Sequence, residues 1–267
     1  MGYLIGGIVA AVLAFISFFV MKMVKKSLFT VLSSPKRSCG ELQEVSRQVA
    51  EEIGAGMFSE RCKVRGKIAA ESPLIAEISG NPCVYYESKV YRKYEEVEVH
   101  TDADGSRKQT RETEEELLSS NKNHIPFKIN DGTGEITVGL DGAEIGKTEK
   151  ALDQFIPGEP ESQTLSFGRF KFRLEDVNTG LSRTLGYRYE EDIIPLGAEL
   201  MVVGEASDAS GTLRMQEPED HEYTYLATLE TEQEYVKSAK TSIKIFGIAG
   251  AVLSIGAVAL LAVYVFR

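Results

Sequence analysis

Two uncharged runs at the ends of the chain, Met1 to Met21 and Ile245 to Phe266, constrain what it can fold into more than any other feature. Each exceeds the roughly 18 to 20 apolar residues needed to cross a hydrocarbon core of about 30 Å, because a helix rises about 1.5 Å per residue. Two transmembrane helices are therefore expected, with the rest of the chain beside the membrane. No basic residue precedes the first apolar core, and Val20, Met21 and Lys22 make no small-residue cleavage site, so the first run reads as a retained anchor. Gly6 stands where N-myristoylation calls for Ser or Thr. Neither run holds an ionisable side chain, which argues against a channel or transporter built from these helices alone.

Between the runs, Lys22 to Lys244 holds 29 of the 30 basic residues and all 40 acidic ones, a net charge of −11. A domain this acidic lacks the basic groove that phosphate backbones require, so nucleic acid is not expected as a partner. Its basic residues crowd its two ends: Lys22, Lys25, Lys26, Lys36 and Arg37 after the first run, Lys237, Lys240 and Lys244 before the second. Positive residues near helix ends stay on the cytoplasmic side and suit anionic headgroups. The large domain is accordingly predicted on the cytoplasmic side, with both termini opposite. Within the runs, Gly6, Ala10 and Ala14 repeat every four residues, as do Gly250 and Ser254. Small residues at this spacing let helices approach closely, either pairing the two spans or joining copies in a homo-oligomer.

The layout expected from these patterns is a first transmembrane helix over 1–24, a basic linker and amphipathic helix over 25–58, and a β-domain over 59–230. A helical connector over 231–244 and the second transmembrane helix over 245–266 complete it. Ser38 to Gly54 spaces Leu42, Val45, Val49 and Ile53 by three and four, an amphipathic helix stopped near Gly54 and Gly56. Its polar face carries more acid than base, so it packs on the domain or at the membrane junction and does not read as a lipid-headgroup binder. Thr231 and Glu234 form a capping box for a helix that meets no Pro or Gly before Gly247.

Strand signals fill the middle. Arg61 to Ala69 alternates Cys62, Val64, Gly66 and Ile68 with polar residues, and Cys83 to His100 is one long run rich in Val and Tyr. Asp102 to Ser106 is a turn leading to a return strand, Arg107 to Thr113, that sets Lys108 and Arg111 against Glu95, Glu96 and Glu98. Ile125 to Ile129 and Glu135 to Val138 flank Asn130-Asp131-Gly132-Thr133-Gly134, a tight hairpin turn. After a polar stretch with Pro157 and Pro160, strands are expected over Phe167 to Leu174 and Thr184 to Tyr189. Leu200 to Ala206 and Gly211 to Gln216 read as a hairpin across Ser207 to Ser210. The expected fold is a mainly β soluble domain, an OB-like or related small barrel or sandwich with a long β-hairpin, between two transmembrane α-helices: α+β overall.

Chemistry is sparse. His100, His124 and His221 are the only histidines, and no HExxH, GxSxG or GxxxxGK[ST] run is present. Asp102 and Asp104 lack the further acidic ligands of a calcium loop. Glu114 to Glu116 and Glu190-Glu191-Asp192 read as solvated surface charge, the latter at a loop. Cys39, Cys62 and Cys83 have no CxxC spacing and an odd count, which fits reduced packing thiols. No catalytic residue, cofactor or metal ligand is expected.

With these residues in view, the chain resembles the GIDE, or BAM ("beside a membrane"), domain family of the mitochondrial ubiquitin ligase activators MULAN/MAPL. The matching pieces are Ser72-Pro73-Leu74 with Gly80-Asn81-Pro82-Cys83-Val84-Tyr85-Tyr86, Ile125-Pro126-Phe127 with the Asp131-Gly132-Thr133-Gly134 turn, and Leu185 to Glu205, with Gly186, Tyr187, Tyr189, Gly197 and Gly204. They stand in the family's order between two apolar runs. The resemblance implies a ubiquitin-protein transferase system whose active members carry a RING finger after the second span. A RING needs eight Cys or His ligands for two zinc ions, and this sequence holds six such residues, so intrinsic RING activity is not expected. The resemblance also places the domain in the intermembrane space, against the Lys clusters, which are followed here. The reading is a membrane-anchored binding or scaffold protein that contacts the lipid bilayer and a protein partner. The alternative is a component of a ubiquitin ligase with a separate catalytic subunit.

Overall fold

The structure, a computed structural model, describes residues 2–101, 107–158, 164–168, 170–173 and 182–265. Helices α1 (Gly2–Ser33) and α2 (Cys39–Glu52) lead into strands β1 (Ser59–Ala69), β2 (Leu74–Ile75), β3 (Pro82–Thr101), β4 (Arg107–His124), β5 (Phe127–Asn130) and β6 (Glu135–Val138). Strands β7 (Glu144–Ile145), β8 (Glu149–Pro157), β9 (Thr164–Phe167), β10 (Phe170–Arg173), β11 (Ser182–Pro195), β12 (Glu199–Ser207), β13 (Arg214–Gln216) and β14 (Leu226–Thr228) precede helix α3 (Glu232–Val265). The fold is mainly β between two long apolar helices, the α+β class expected. It divides into two compact units, one of Met1–Gly66, Ile129–Lys147 and Glu199–Arg267, the other of Lys67–Lys128 and Thr148–Ala198.

The first unit is built on a barrel. Strands β1, β5, β6, β13 and β12 pair in that order, and β12 pairs back to β1, so five strands close into a ring. Counted within the ring, the order is first, second, third, fifth, fourth, an OB-like arrangement. Closure leaves these five strands without an open edge. The last ring strand, β13, joins β6 in parallel, Arg214 beside Thr137 and Met215 beside Val138. Alternation aims Leu200 and Val202 of β12 one way, yet Met201 and Val203 are buried too. That second face packs with Val31 of α1, Leu226 of β14 and Tyr235 of α3.

Helix α2 docks on the same barrel, by a face other than the one its periodicity predicts. Of Leu42, Val45, Val49 and Ile53, only Leu42 is fully buried, while Val45 and Ile53 are exposed; the covered face is Cys39, Leu42 and Ser46. Polar anchors set this rotation. The Cys39 amide donates to Asp131 Oδ2 at 2.8 Å, the Gly40 amide to Thr133 Oγ1 at 2.9 Å and Gln43 Nε2 to the Glu135 carbonyl at 2.7 Å. Farther along, Ser46 Oγ donates to Asp208 Oδ2 at 3.0 Å, and Asp208 Oδ1 accepts from the Phe58 amide. Ser38 caps the helix in a reciprocal box with Glu41.

In the second unit, β2, β3, β11 and β8 form an antiparallel sheet, with β4 also on β3. The return strand of the long hairpin extends well past Thr113, to His124, pairing from Thr101↔Arg107 to Tyr85↔His124. Glu114, Glu115 and Glu116 thus lie on a strand opposite Tyr94, Lys93 and Arg92, and remain exposed. Arg111 sits opposite Val97 and reaches Glu95 at 3.7 Å. The turn at 102–106, with Asp102 and Asp104, lies outside the described residues, as do the side chains of His100 and Lys108. The single strand expected over Phe167 to Leu174 is instead the hairpin of β9 and β10, Phe167 opposite Phe170. Gly168, at φ +61°, supplies the left-handed backbone that turns it; Pro160 and Leu174 lie outside the described residues.

The largest departure is Glu191. The run Glu190-Glu191-Asp192 lies in the middle of β11, not in a loop, and alternation sends Glu191 inward beside Tyr187, Tyr189 and Ile193, where it is fully buried. Its carboxylate accepts from the amides of Ile78 and Ser79 and from Ser88 Oγ, each at 2.7 Å. Three charge-assisted bonds satisfy it and hold the turn after β2 over the sheet.

Two outcomes follow. Glu191→Ala strands three donors and should cost about 3 kcal/mol or more in chemical denaturation, with Glu191→Gln, which keeps an acceptor, costing less. Asp131 is partly buried, which opposes its charge, but hydrogen bonds from Thr133, Cys39 and Gly134 outweigh burial and hold its carboxyl below the usual range. A depressed carboxyl stabilises above its unfolded value and loses that contribution as pH falls, so α2 should loosen from the turn below about pH 4. Hydrogen exchange at the Cys39 amide checks this, and Asp131→Asn should flatten the dependence.

Candidate functional site

Where the last turn of α1 and the first turns of α3 meet the barrel, a cavity of about 700 Å³ opens. Leu32 and Val236 line it from the two helices, Val64 and Met201 from β1 and β12, and Thr231 and Gln233 from the start of α3. Its charged groups are Lys36, Lys63, Arg65 and Glu232.

Lys63 organises this region. Strand alternation gives it a solvent-facing position, yet its side chain is only 10% exposed. Its ammonium donates to the Val31 carbonyl at 2.9 Å and to Glu232 Oε1 at 2.7 Å. Val31 lies in the last turn of α1, where carbonyls lack helical partners, and Glu232 in the first turn of α3. A cation at a helix C-terminus and an anion at a helix N-terminus are each favoured by the helix dipole, so one ammonium ties both helix ends to β1. Arg65 adds a second tie, Nη1 to the Glu230 carbonyl at 2.8 Å and Nε to Glu199 Oε2 at 3.1 Å. Lys36 bridges Lys63 through the backbone, but its side chain is exposed and has no ion pair among the described residues.

Other contacts reinforce the junction. The Thr224 amide donates to Thr30 Oγ1 at 3.1 Å, and Ser27 Oγ to Glu144 Oε2 at 2.8 Å. The capping box at Thr231 forms, Thr231 N to Glu234 Oε2 at 2.8 Å and Glu234 N to Thr231 Oγ1 at 3.3 Å. From there α3 runs unbroken and packs along α1. Ser17 Oγ donates to the Phe246 carbonyl at 2.8 Å, and a Cβ on Gly7 would lie 2.8 Å from Leu261, one on Gly250 3.0 Å from Phe18. The small residues therefore join the two helices of one chain, with Gly7 closer than Gly6; Ser254 Oγ turns back to Gly250 O in its own helix. Both helices contain stretches apolar and long enough to cross a membrane, with mean hydropathy 2.7 in α1 and 2.4 in α3.

The residues singled out from the family resemblance divide between the two units. Pro82, Tyr85, Tyr86, Pro126, Phe127, Gly186, Tyr187, Tyr189 and Gly197 belong to the second unit, and Asp131, Gly132, Gly134 and Gly204 to the first. Tyr85, Tyr86, Phe127, Tyr187 and Tyr189 are buried. Gly186 marks an irregularity in β11, Gly132 and Gly197 lie in turns, and Gly134 lies under Gln43. Gly204 admits the Tyr225 ring, since a Cβ there would lie 2.5 Å from it. All three cysteines are free and buried, and burial pushes Cys39 and Cys83 up to about 11 and Cys62 to about 12. They are inert thiols at neutral pH. Among the described residues no group of three His, Cys, Asp or Glu side chains could hold a metal.

A family model described as "GIDE: E3 Ubiquitin ligase" matches residues 95–262. The E3 ubiquitin-protein ligase SPL1 of Arabidopsis thaliana is 33% identical over 107 residues, which cover 39% of this chain and 29% of that protein. The match thus spans under a third of the length of that relative. No solved structure matches.

Replacing Lys63 by Met should leave the Val31 carbonyl and the Glu232 carboxylate without their donor and cost about 1–3 kcal/mol in thermal or chemical unfolding. Adding Glu232→Gln should restore part of that loss, a coupling that a double-mutant cycle measures directly.

Proposed function

The chain belongs to the GIDE family, and on that premise we propose that it is a two-span, non-enzymatic scaffold whose acidic β-domain, over 59–230, binds a protein partner at the membrane surface. The observation that carries this reading is the Lys63 tie, which fastens the ends of both apolar helices to one barrel strand. A barrel fixed in this way has a set distance and orientation relative to its anchors. The outer faces of the helices support the spanning part of the proposal: Phe15 and Ile255 are each 72% exposed, and Phe19, Ile248 and Val258 are also open. Apolar faces of this extent are matched to lipid, not water. The Lys clusters flanking them favour the β-domain on the cytoplasmic side with both termini opposite.

A second reading is favoured by the family description and by the ligase relative: a component of a ubiquitin ligase that acts with a separate RING subunit. Three Cys and three His fall short of the eight ligands a RING requires, so within these residues transfer would depend on such a subunit.

The test reconstitutes the full chain in vesicles with the ubiquitin-activating and conjugating enzymes, with and without candidate RING subunits. The scaffold reading expects a co-purifying protein partner and no stimulation of transfer. Stimulation of a RING subunit favours the second reading, and conjugates formed by the chain alone overturn both. In right-side-out vesicles, protease should leave the β-domain intact; digestion from outside would reverse the proposed orientation.

A further inference from the structure

The cavity beside Lys63 has a composition that the structural tie does not use up. The ammonium of Lys63 has three donors, of which Val31 O and Glu232 occupy two. Lys63 and Glu232 compensate each other, and Arg65 pairs with Glu199. Among the described residues Lys36 is left as a charge on the lining with no ion-pair partner. Around these groups stand Leu32, which is exposed, and the half-buried Val236, over the buried Met201, an apolar surface that a bare inorganic ion does not need. The volume of about 700 Å³ lies within the roughly 300–1,000 Å³ of small-molecule sites, whose lining is mostly apolar with a few placed polar groups.

We propose that this cavity binds a single-chain amphiphile with a monoanionic carboxylate or phosphate head. The head meets Lys36 and the third N–H of Lys63, and the tail lies along Leu32 and Val236, over Met201. The site's height above the bilayer decides against a resident membrane lipid, a step that rests on the spanning reading above. Leu32 follows Met21 by eleven residues and Val236 precedes Ile245 by nine. At 1.5 Å per residue this places the cavity roughly 13–16 Å along the helices from the hydrocarbon edge. The headgroup layer is only about 5–7 Å deep on each side. A lipid seated in the bilayer does not reach that far, whereas a single-chain molecule arriving through water does.

The full chain in phosphatidylcholine nanodiscs is titrated with dodecyl phosphate, with dodecanol and inorganic phosphate as controls, and thermal unfolding is followed by circular dichroism. Dodecyl phosphate at a hundredfold excess over its Kd should raise the midpoint by roughly 5–10 °C. Lys36→Gln, at an exposed position, should weaken binding about tenfold through loss of a charge-assisted bond. Val236→Trp should abolish binding by filling the tail site while leaving the charges in place. Equal stabilisation by inorganic phosphate, or by dodecanol, overturns the proposal in favour of a free-anion site or simple partitioning. Binding that appears only when anionic lipid is added, and is indifferent to Lys36→Gln, assigns it to the juxtamembrane lysines and also overturns it. So does the absence of any shift, whereas protease protection separately reports whether the helices span.

Discussion

One buried ammonium sets the relation between the apolar helices and the barrel. From a single strand position Lys63 meets the carbonyl end of α1 and the Glu232 carboxylate in the first turn of α3, and the covered face of β12 packs against side chains from both helices. Dipole, charge and apolar burial act here on the same few residues. Neither helix end is free to swing without exposing Val31 and leaving a carboxylate and a carbonyl unpaired. Paired with the close helix contact at Gly7 and Gly250, this makes the two helices and the five-stranded ring one mechanical body.

The second unit is held by a different device. Its sheet has one face of charged ladders, among them Arg188 with Asp153 and Glu190, and Lys150 with Glu190 and Asp192. Exposed pairs of this kind contribute little each. The other face carries Val90, Tyr187, Tyr189 and Ile78, and beside them the carboxylate of Glu191, which serves as a polar staple for the turn at Ile78 and Ser79. A buried charge is tolerated there because every donor it needs is supplied locally.

Much of this was legible in the sequence. Uncharged length announced α1 and α3, the Asp-Gly-Thr-Gly turn announced the β5–β6 hairpin, and Thr231 with Glu234 announced the start of α3. What was illegible depended on contacts between distant residues. Nothing in the neighbourhood of Lys63 distinguishes it from the other polar residues of β1, because its partners are Val31 and Glu232. Glu191 looked like surface because it stands between two other acids; only the register of β11 against β3 sends it inward. The buried face of α2 departs from its periodicity because periodicity counts apolar side chains, whereas Asp131, Thr133 and Glu135 hold this helix by polar contacts. A Ser-x-x-Glu pattern at Ser38 and Glu41 was available as a signal for its start.

The closure of the ring has a consequence for biogenesis. Strands β1 and β12 pair directly, yet the second unit, apart from its first three residues at the end of β1, lies between them in the chain. Contacts this distant in sequence form late and slowly, since a long loop must be closed before they repay its entropy. During synthesis α1 therefore emerges well before the barrel has all its strands, and β1 waits with an unpaired edge until β12 arrives. The strands that complete the barrel, β12 and β13, are followed by β14 and then α3. Sealing the sheet and delivering the second apolar helix thus become nearly simultaneous events, and a chain that stalls before Glu199 leaves an open strand edge of the kind that seeds aggregation.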